Sequence, residues 1–223
     1  SENPGEKSDS RLLPILPMSE IVLFPRLMIP LALWEESAQR LVDDTLLKDK
    51  IIGILTSRQP ATESYTADNL YRIGTAAVIL KMGKTQEGAM RLLIQGLYRF
   101  EVEEIVALEP YLQARVRPIS ESYESDLEIE AMVASLKGMF KKMSELSPYL
   151  PTELGAMVQE LDDPRVLADV TGGSMNLSKA EKQELLETIP VKERLKKVLR
   201  LISREIEILE LGKQIQSSVK TEM

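Results

Sequence analysis

Strand-like runs followed by helix formers predict an α+β chain: a β-rich N-terminal part, then a helical part ending in one long helix. Three observations carry this. Over 97–105, Tyr98, Phe100 and Val102 alternate with Arg99, Glu101 and Glu103, the period of two expected of a half-buried strand. From Glu124 the composition switches to helix formers with apolar residues at helical spacing. Residues 191–223 hold no proline and suffice for one helix of about 30 residues, ~45–50 Å long.

In chain order, residues 1–10 are polar, include Pro4 and Gly5, and read as a disordered leader. The stretch 13–34, LPILPMSEIVLFPRLMIPLALW, places Pro14, Pro17, Pro25 and Pro30 among Leu, Ile, Val, Phe and Met. Proline lacks a backbone donor and fixes φ, which disfavours a helix and predicts short strands at 13–16 and 29–34. Loops are normally polar and exposed. The apolar connection 21–28 is therefore either core or a surface kept apolar for a partner. Residues 35–48 read as a helix, with Glu35 and Glu36 in its first turn and an apolar stripe through Ala38, Leu41, Val42 and Leu46. Residues 51–56 (IIGILT) form a buried strand, and 57–69, polar and containing Pro60, a loop. Strands at 75–82 and 89–95 flank a hairpin turn at 83–88. Gly96 breaks the run before the strand at 97–105, and a last strand at 111–117 is closed by Pro118. About six strands and a helix in ~110 residues suggest a small mixed sheet or partly closed barrel.

The helical part opens at 127–146, with a stripe through Leu127, Met132, Val133, Leu136, Met139, Phe140 and Met143, and breaks at Pro148 and Pro151. A short helix covers 152–161. Asp163 then caps a helix that has Pro164 at its first position, runs to Val170 and stops at Gly172-Gly173. Ser178 and Glu181 have capping-box spacing for a helix to Leu186. In the last helix, Leu195, Leu199, Ile202, Ile206 and Leu209 recur at gaps of four and three. A second seam starts at Ile208 and runs through Leu211, Ile215 and Val219, so the helix is expected to meet two successive partners. Without a C-cap at Met223, it reads as truncated.

Composition narrows the function. There is no cysteine, so disulfides, thiolate zinc sites and cysteine nucleophiles are excluded, and no histidine, the commonest general base and metal ligand. A net charge of −7 with only 4% aromatic residues argues against nucleic acid as a partner. No apolar run approaches the ~20 residues needed to span a bilayer, so no membrane partner is expected. The pairs Glu35-Glu36, Glu103-Glu104 and Asp162-Asp163 read as helix ends and a solvated strand end. The basic run from Lys192 to Arg204 is interleaved with Glu193 and followed by Glu205, Glu207 and Glu210, as on a solvated helix face.

Four stretches carry a family resemblance: LPILPMSEIVLFPRLMIPL; Gly74–Ala77 with Gly96–Arg99; DDPRVLAD followed by AEKQELLE; and VKERLKKVLRLISREIEILEL. Together they resemble the N-terminal region of the ATP-dependent Lon protease. Met18 stands where the family pattern has leucine, and the Asp-Pro step has one residue fewer before it. The resemblance implies a PUA-like β domain at 11–118, a helical bundle at 119–190 and the long helix at 191–223. It implies a cytoplasmic, non-catalytic region that binds unfolded, damaged or degron-bearing proteins for delivery to an ATPase ring, in a parent that is a hexamer using ATP and magnesium. No GxxxxGK[ST] occurs, and no Ser or Lys lies in a context resembling the family's serine-lysine catalytic segment, so enzyme activity is not carried over.

Candidate substrate-binding residues are Leu23, Phe24, Pro25, Met28 and the hairpin residue Met82, expected to share one apolar surface. Leu195, Leu199, Ile202, Ile206 and Leu209 are candidates for helix association. Two alternatives to substrate capture stand beside it: an assembly or positioning module acting through the long helix, and an RNA-binding PUA-like domain, which charge and aromatic content disfavour.

Overall fold

A computed structural model describes residues 9–60 and 65–223. Residues 1–8 of the expected leader and 61–64 of the loop expected at 57–69 lie outside the described residues. The chain divides into two compact units, Ser1–Ser120 and Glu121–Met223.

The first unit runs β1 (Arg11–Met18), β2 (Met28–Leu33), α1 (Glu36–Leu46), β3 (Ile51–Thr56), β4 (Ile73–Lys84), β5 (Met90–Ala107) and β6 (Gln113–Pro118). The strands form one mixed sheet ordered β2-β5-β4-β3-β1-β6. β6 pairs with both β1 and the far half of β5, so five strands close into a ring, and β2 is added beside the near half of β5. Only β1 and β3 are parallel. Among the described residues of this unit, buried side chains cluster around Leu33, Leu41, Ile52, Met90 and Ile94 and, separately, around Ile15, Phe100, Ala114 and Val116.

The strands expected at 89–95 and 97–105 are a single strand, and Gly96 has a different role from a break. A Cβ there would lie 2.2 Å from the Phe24 carbonyl oxygen. The glycine lets the 24–27 backbone settle onto the strand, where Arg26 N–H donates to Gly96 O and Gly96 N–H donates to Leu27 O, each at 2.9 Å.

The second unit contains α2 (Leu127–Leu146), α3 (Thr152–Gln159), α4 (Pro164–Ser174), α5 (Lys179–Glu187) and α6 (Val191–Glu222). Asp126, Asp163 and Ser178 each accept a backbone N–H as N-caps, and Ser178 with Glu181 completes a capping box. α2 packs along α6. Its buried stripe is Ile129, Met132, Leu136, Phe140 and Met143, with Leu127 left in solvent. α4 continues through Gly172-Gly173, because Gly172 is where two neighbours close in. A Cβ there would meet Leu185 Cδ1 at 3.0 Å and Val198 Cγ2 at 3.5 Å. At its core Arg194, fully buried, pairs with Glu121 at 2.7 Å and Asp169 at 3.3 Å and donates to the Thr188 carbonyl at 3.0 Å. Removing one partner of such a buried set strands a charge, so this cluster locks the start of α6.

Candidate functional site

The connection 19–27 decides where the predicted apolar surface lies. Its carbonyls are bound from the strands beneath: Thr56 Oγ1 donates to Ile21 O at 2.7 Å, and Thr75 Oγ1 donates to Leu23 O at 2.6 Å. With its backbone satisfied in this way, the segment can be buried without orphaned polar groups. Leu23, Phe24 and Pro25 are accordingly buried, Phe24 with 1% of its surface exposed and its ring beneath the Arg99 guanidinium. This corrects their assignment to a shared exposed surface: these three residues belong to the core.

Met28 and Met82 remain accessible, at 58% and 38%. They do not share a face. Met28 is opposite Gln95 on β5, whereas Met82 is opposite Leu92. Side chains alternate along a strand, so Leu92, buried, and Gln95 point to opposite sides of the sheet, and their partners follow them.

The outward face that includes Met28 is more apolar than the sequence reading anticipated. Pro30 and Ala32 lie on the same side, opposite Leu93 and Arg91, and both are exposed. On β4 the register slips between Ile79 and Lys81, which leaves Leu80 with no opposite partner and 44% exposed. Met28, Pro30, Leu93 and Leu80 thus give β2, β5 and β4 an apolar outer face, with the exposed Lys81 and Arg91 at its edge.

The helix-association residues are also reassigned. Leu195, Ile202 and Ile206 are buried in the second unit, and Leu199 and Leu209 are half-buried. α2 and α4 pack on α6 there, so this stripe meets its own chain. All buried residues of α6 lie at or before Ile206; beyond it, Ile208, Leu211, Ile215 and Val219 are exposed.

A family model described as the ATP-dependent protease La (LON) substrate-binding domain matches residues 12–204. The chain belongs to the Lon substrate-binding domain family. It is 43% identical over 212 residues to the Lon protease of Dictyoglomus thermophilum, covering 95% of this chain and 27% of that protein. It is 37% identical over 212 residues to the Lon protease of Desulfosudis oleivorans, covering 95% and 26% respectively. The chain therefore spans about a quarter of the length of these relatives. Among solved structures, the N-terminal domain of the Mycobacterium avium complex Lon protease is similar with a TM-score of 0.68 and 26% identity, over 86% of this chain and 98% of that one. A Lon N-terminal domain protein from Xanthomonas campestris, 20% identical with a TM-score of 0.63 over 85% of this chain and 98% of that one, shares the fold. The mixed sheet and long C-terminal helix are thus those of Lon N-terminal domains.

Among the described residues no group of three or more Asp or Glu side chains is arranged to hold a metal ion. Nor is any described helix long and apolar enough to cross a membrane. Among the exposed apolar residues that escaped the sequence reading, besides Leu80, are Trp34 at 63% and Leu108 at 59%. The one available signal was that Trp34, the only tryptophan, ends an apolar run just before Glu35-Glu36. Leu108 had no local pattern to mark it.

Proposed function

We propose that this Lon-family chain captures unfolded, damaged or degron-bearing proteins and that the parent protease passes them to its ATPase ring. The observation that carries the reading is the outward apolar face that Met28, Pro30, Leu93 and Leu80 form across β2, β5 and β4. Folded proteins hold such side chains inside, whereas unfolded chains offer them in runs, so an apolar face selects for the unfolded state. Methionine adds a flexible, polarizable side chain that adapts to varied sequences. At ~25 cal/mol per Å², burying a few hundred Å² gives modest affinity once ordering costs are met. Presentation of several copies on a hexameric parent raises the effective affinity by avidity. ATP and magnesium belong to that parent.

The test is binding to one protein presented folded and permanently unfolded. The unfolded form should bind preferentially at both low and high salt, and Met28→Ser with Leu80→Ser should weaken binding about tenfold while circular dichroism stays unchanged. Equal binding of both forms contradicts the reading. A second reading, assembly through α6, is favoured by the exposed seam Ile208, Leu211, Ile215 and Val219.

A further inference from the structure

A cavity of about 400 Å³ opens in the first unit between the end of β1, the β2–α1 junction and the β5–β6 connection. Its size is in the range of pockets that enclose a ligand group. The floor is core: Leu16, Leu33 and Leu41 are buried there. The small side chains of Ser37 and Ala38 leave the space open. At the mouth stand Trp34 and Leu108, both largely exposed, so an apolar group entering between them is desolvated from two sides. Tyr111 makes a fixed wall, its hydroxyl donating to Asp44 Oδ2 at 2.9 Å. Burial, and then that bond, push its pKa above the ordinary value.

Charge gives the cavity a sign. Among the described residues, Glu35 and Glu109 are the only charged side chains lining it, and both are exposed. Tyr65, also in the lining, feels the same field. Its pKa is raised first by burial and then by the Glu35 carboxylate; a hydrogen bond with Ser19 opposes the shift and Glu20 adds to it. An apolar floor beneath a carboxylate rim is complementary to an apolar side chain with cationic neighbours.

We propose that this cavity docks one apolar side chain of leucine or phenylalanine size, flanked by Lys or Arg, from an unfolded polypeptide. The assignment rests on the reading that this chain binds unfolded proteins, but it names a different surface with the opposite charge preference. The Met28 face is edged by Lys81 and Arg91, the cavity by carboxylates.

Trp34 is the only tryptophan in the chain, so its emission reports occupancy. Three peptides serve as probes: Gly-Lys-Leu-Lys-Gly, Gly-Glu-Leu-Glu-Gly and Gly-Lys-Ser-Lys-Gly. The first should shift Trp34 emission to the blue and saturate; the other two should require about tenfold higher concentrations, with salt narrowing the gap between the two leucine peptides. Ala38→Met, which fills the cavity, and Leu108→Ser, which removes an exposed lip without touching the core, should each weaken the first peptide about fivefold. Glu35→Gln with Glu109→Gln should abolish the preference for the basic peptide and keep the dependence on leucine. Equal responses to the basic and acidic leucine peptides, or no saturable shift with either, overturn the assignment. A shift produced by raising the protein concentration alone also overturns it, since a second copy would then occupy the cavity. Met28→Ser with Leu80→Ser separates the two readings. Lost capture of unfolded protein in this variant with the peptide response intact places capture at the Met28 face and upholds the cavity; intact capture of unfolded protein by the unsubstituted chain, with no response to any of the three peptides, fails the cavity alone.

Discussion

Phe24 and Met28 come from one apolar run and end in opposite environments. The carbonyl of Phe24 lies against Gly96, and that of the preceding Leu23 is held by Thr75, while Met28 is already on a strand whose alternation turns it outward. Phe24→Ser should therefore cost on the order of 3–5 kcal/mol of stability, as expected for deleting a buried aromatic. Met28→Ser should stay within about 0.5 kcal/mol. Denaturant midpoints of the two variants check this, and a Met28 variant as unstable as the Phe24 one would contradict the placement. None of this was legible in the run itself. Composition marked 21–28 as unusual, but the groups that bury its first half, Thr56, Thr75 and Gly96, are distant in sequence, and no local period encodes them.

At the scale of elements, periodicity and caps were legible and glycines were not. The alternation of Phe100 and Val102 with Glu101 and Glu103, the Asp163-Pro164 start and the Ser178 capping box appear as read. Arg99, on the polar side of that alternation, is instead fully buried over Phe24, and Tyr98 is only half-buried. Gly96 and Gly172 were read as interruptions, yet each marks a close approach by another segment inside a continuing element. The shift of seam along α6 has the same logic: its first apolar stripe is covered by α2 and α4, and its second is exposed. If that second seam pairs with another copy, Leu211→Ser with Ile215→Ser should reduce the concentration-dependent mass seen by sedimentation to that of a monomer. Helix content and capture of unfolded protein should be unchanged, because these residues are exposed and lie beyond the last buried residue of α6. A mass independent of both substitutions and concentration would remove the assembly reading.

Across the whole molecule, closure of the barrel was the step that local patterns could not supply. β5 pairs with β2 through its near half and with β6 through its far half, and only the complete register shows which side chains share a face. That register separates Met28 from Met82, which sequence reading had placed together, and it joins Met28 to Pro30, Leu93 and Leu80 instead. The two methionines thereby become matched reporters, both accessible but on opposite sides of one sheet. Methyl NMR of the chain titrated with a permanently unfolded protein reads both in one spectrum. The account predicts that the Met28 methyl shifts or broadens on binding while the Met82 methyl stays in place; perturbation of Met82 alone, or of neither methyl at saturating unfolded protein, would contradict capture by the outer face of β2 and β5.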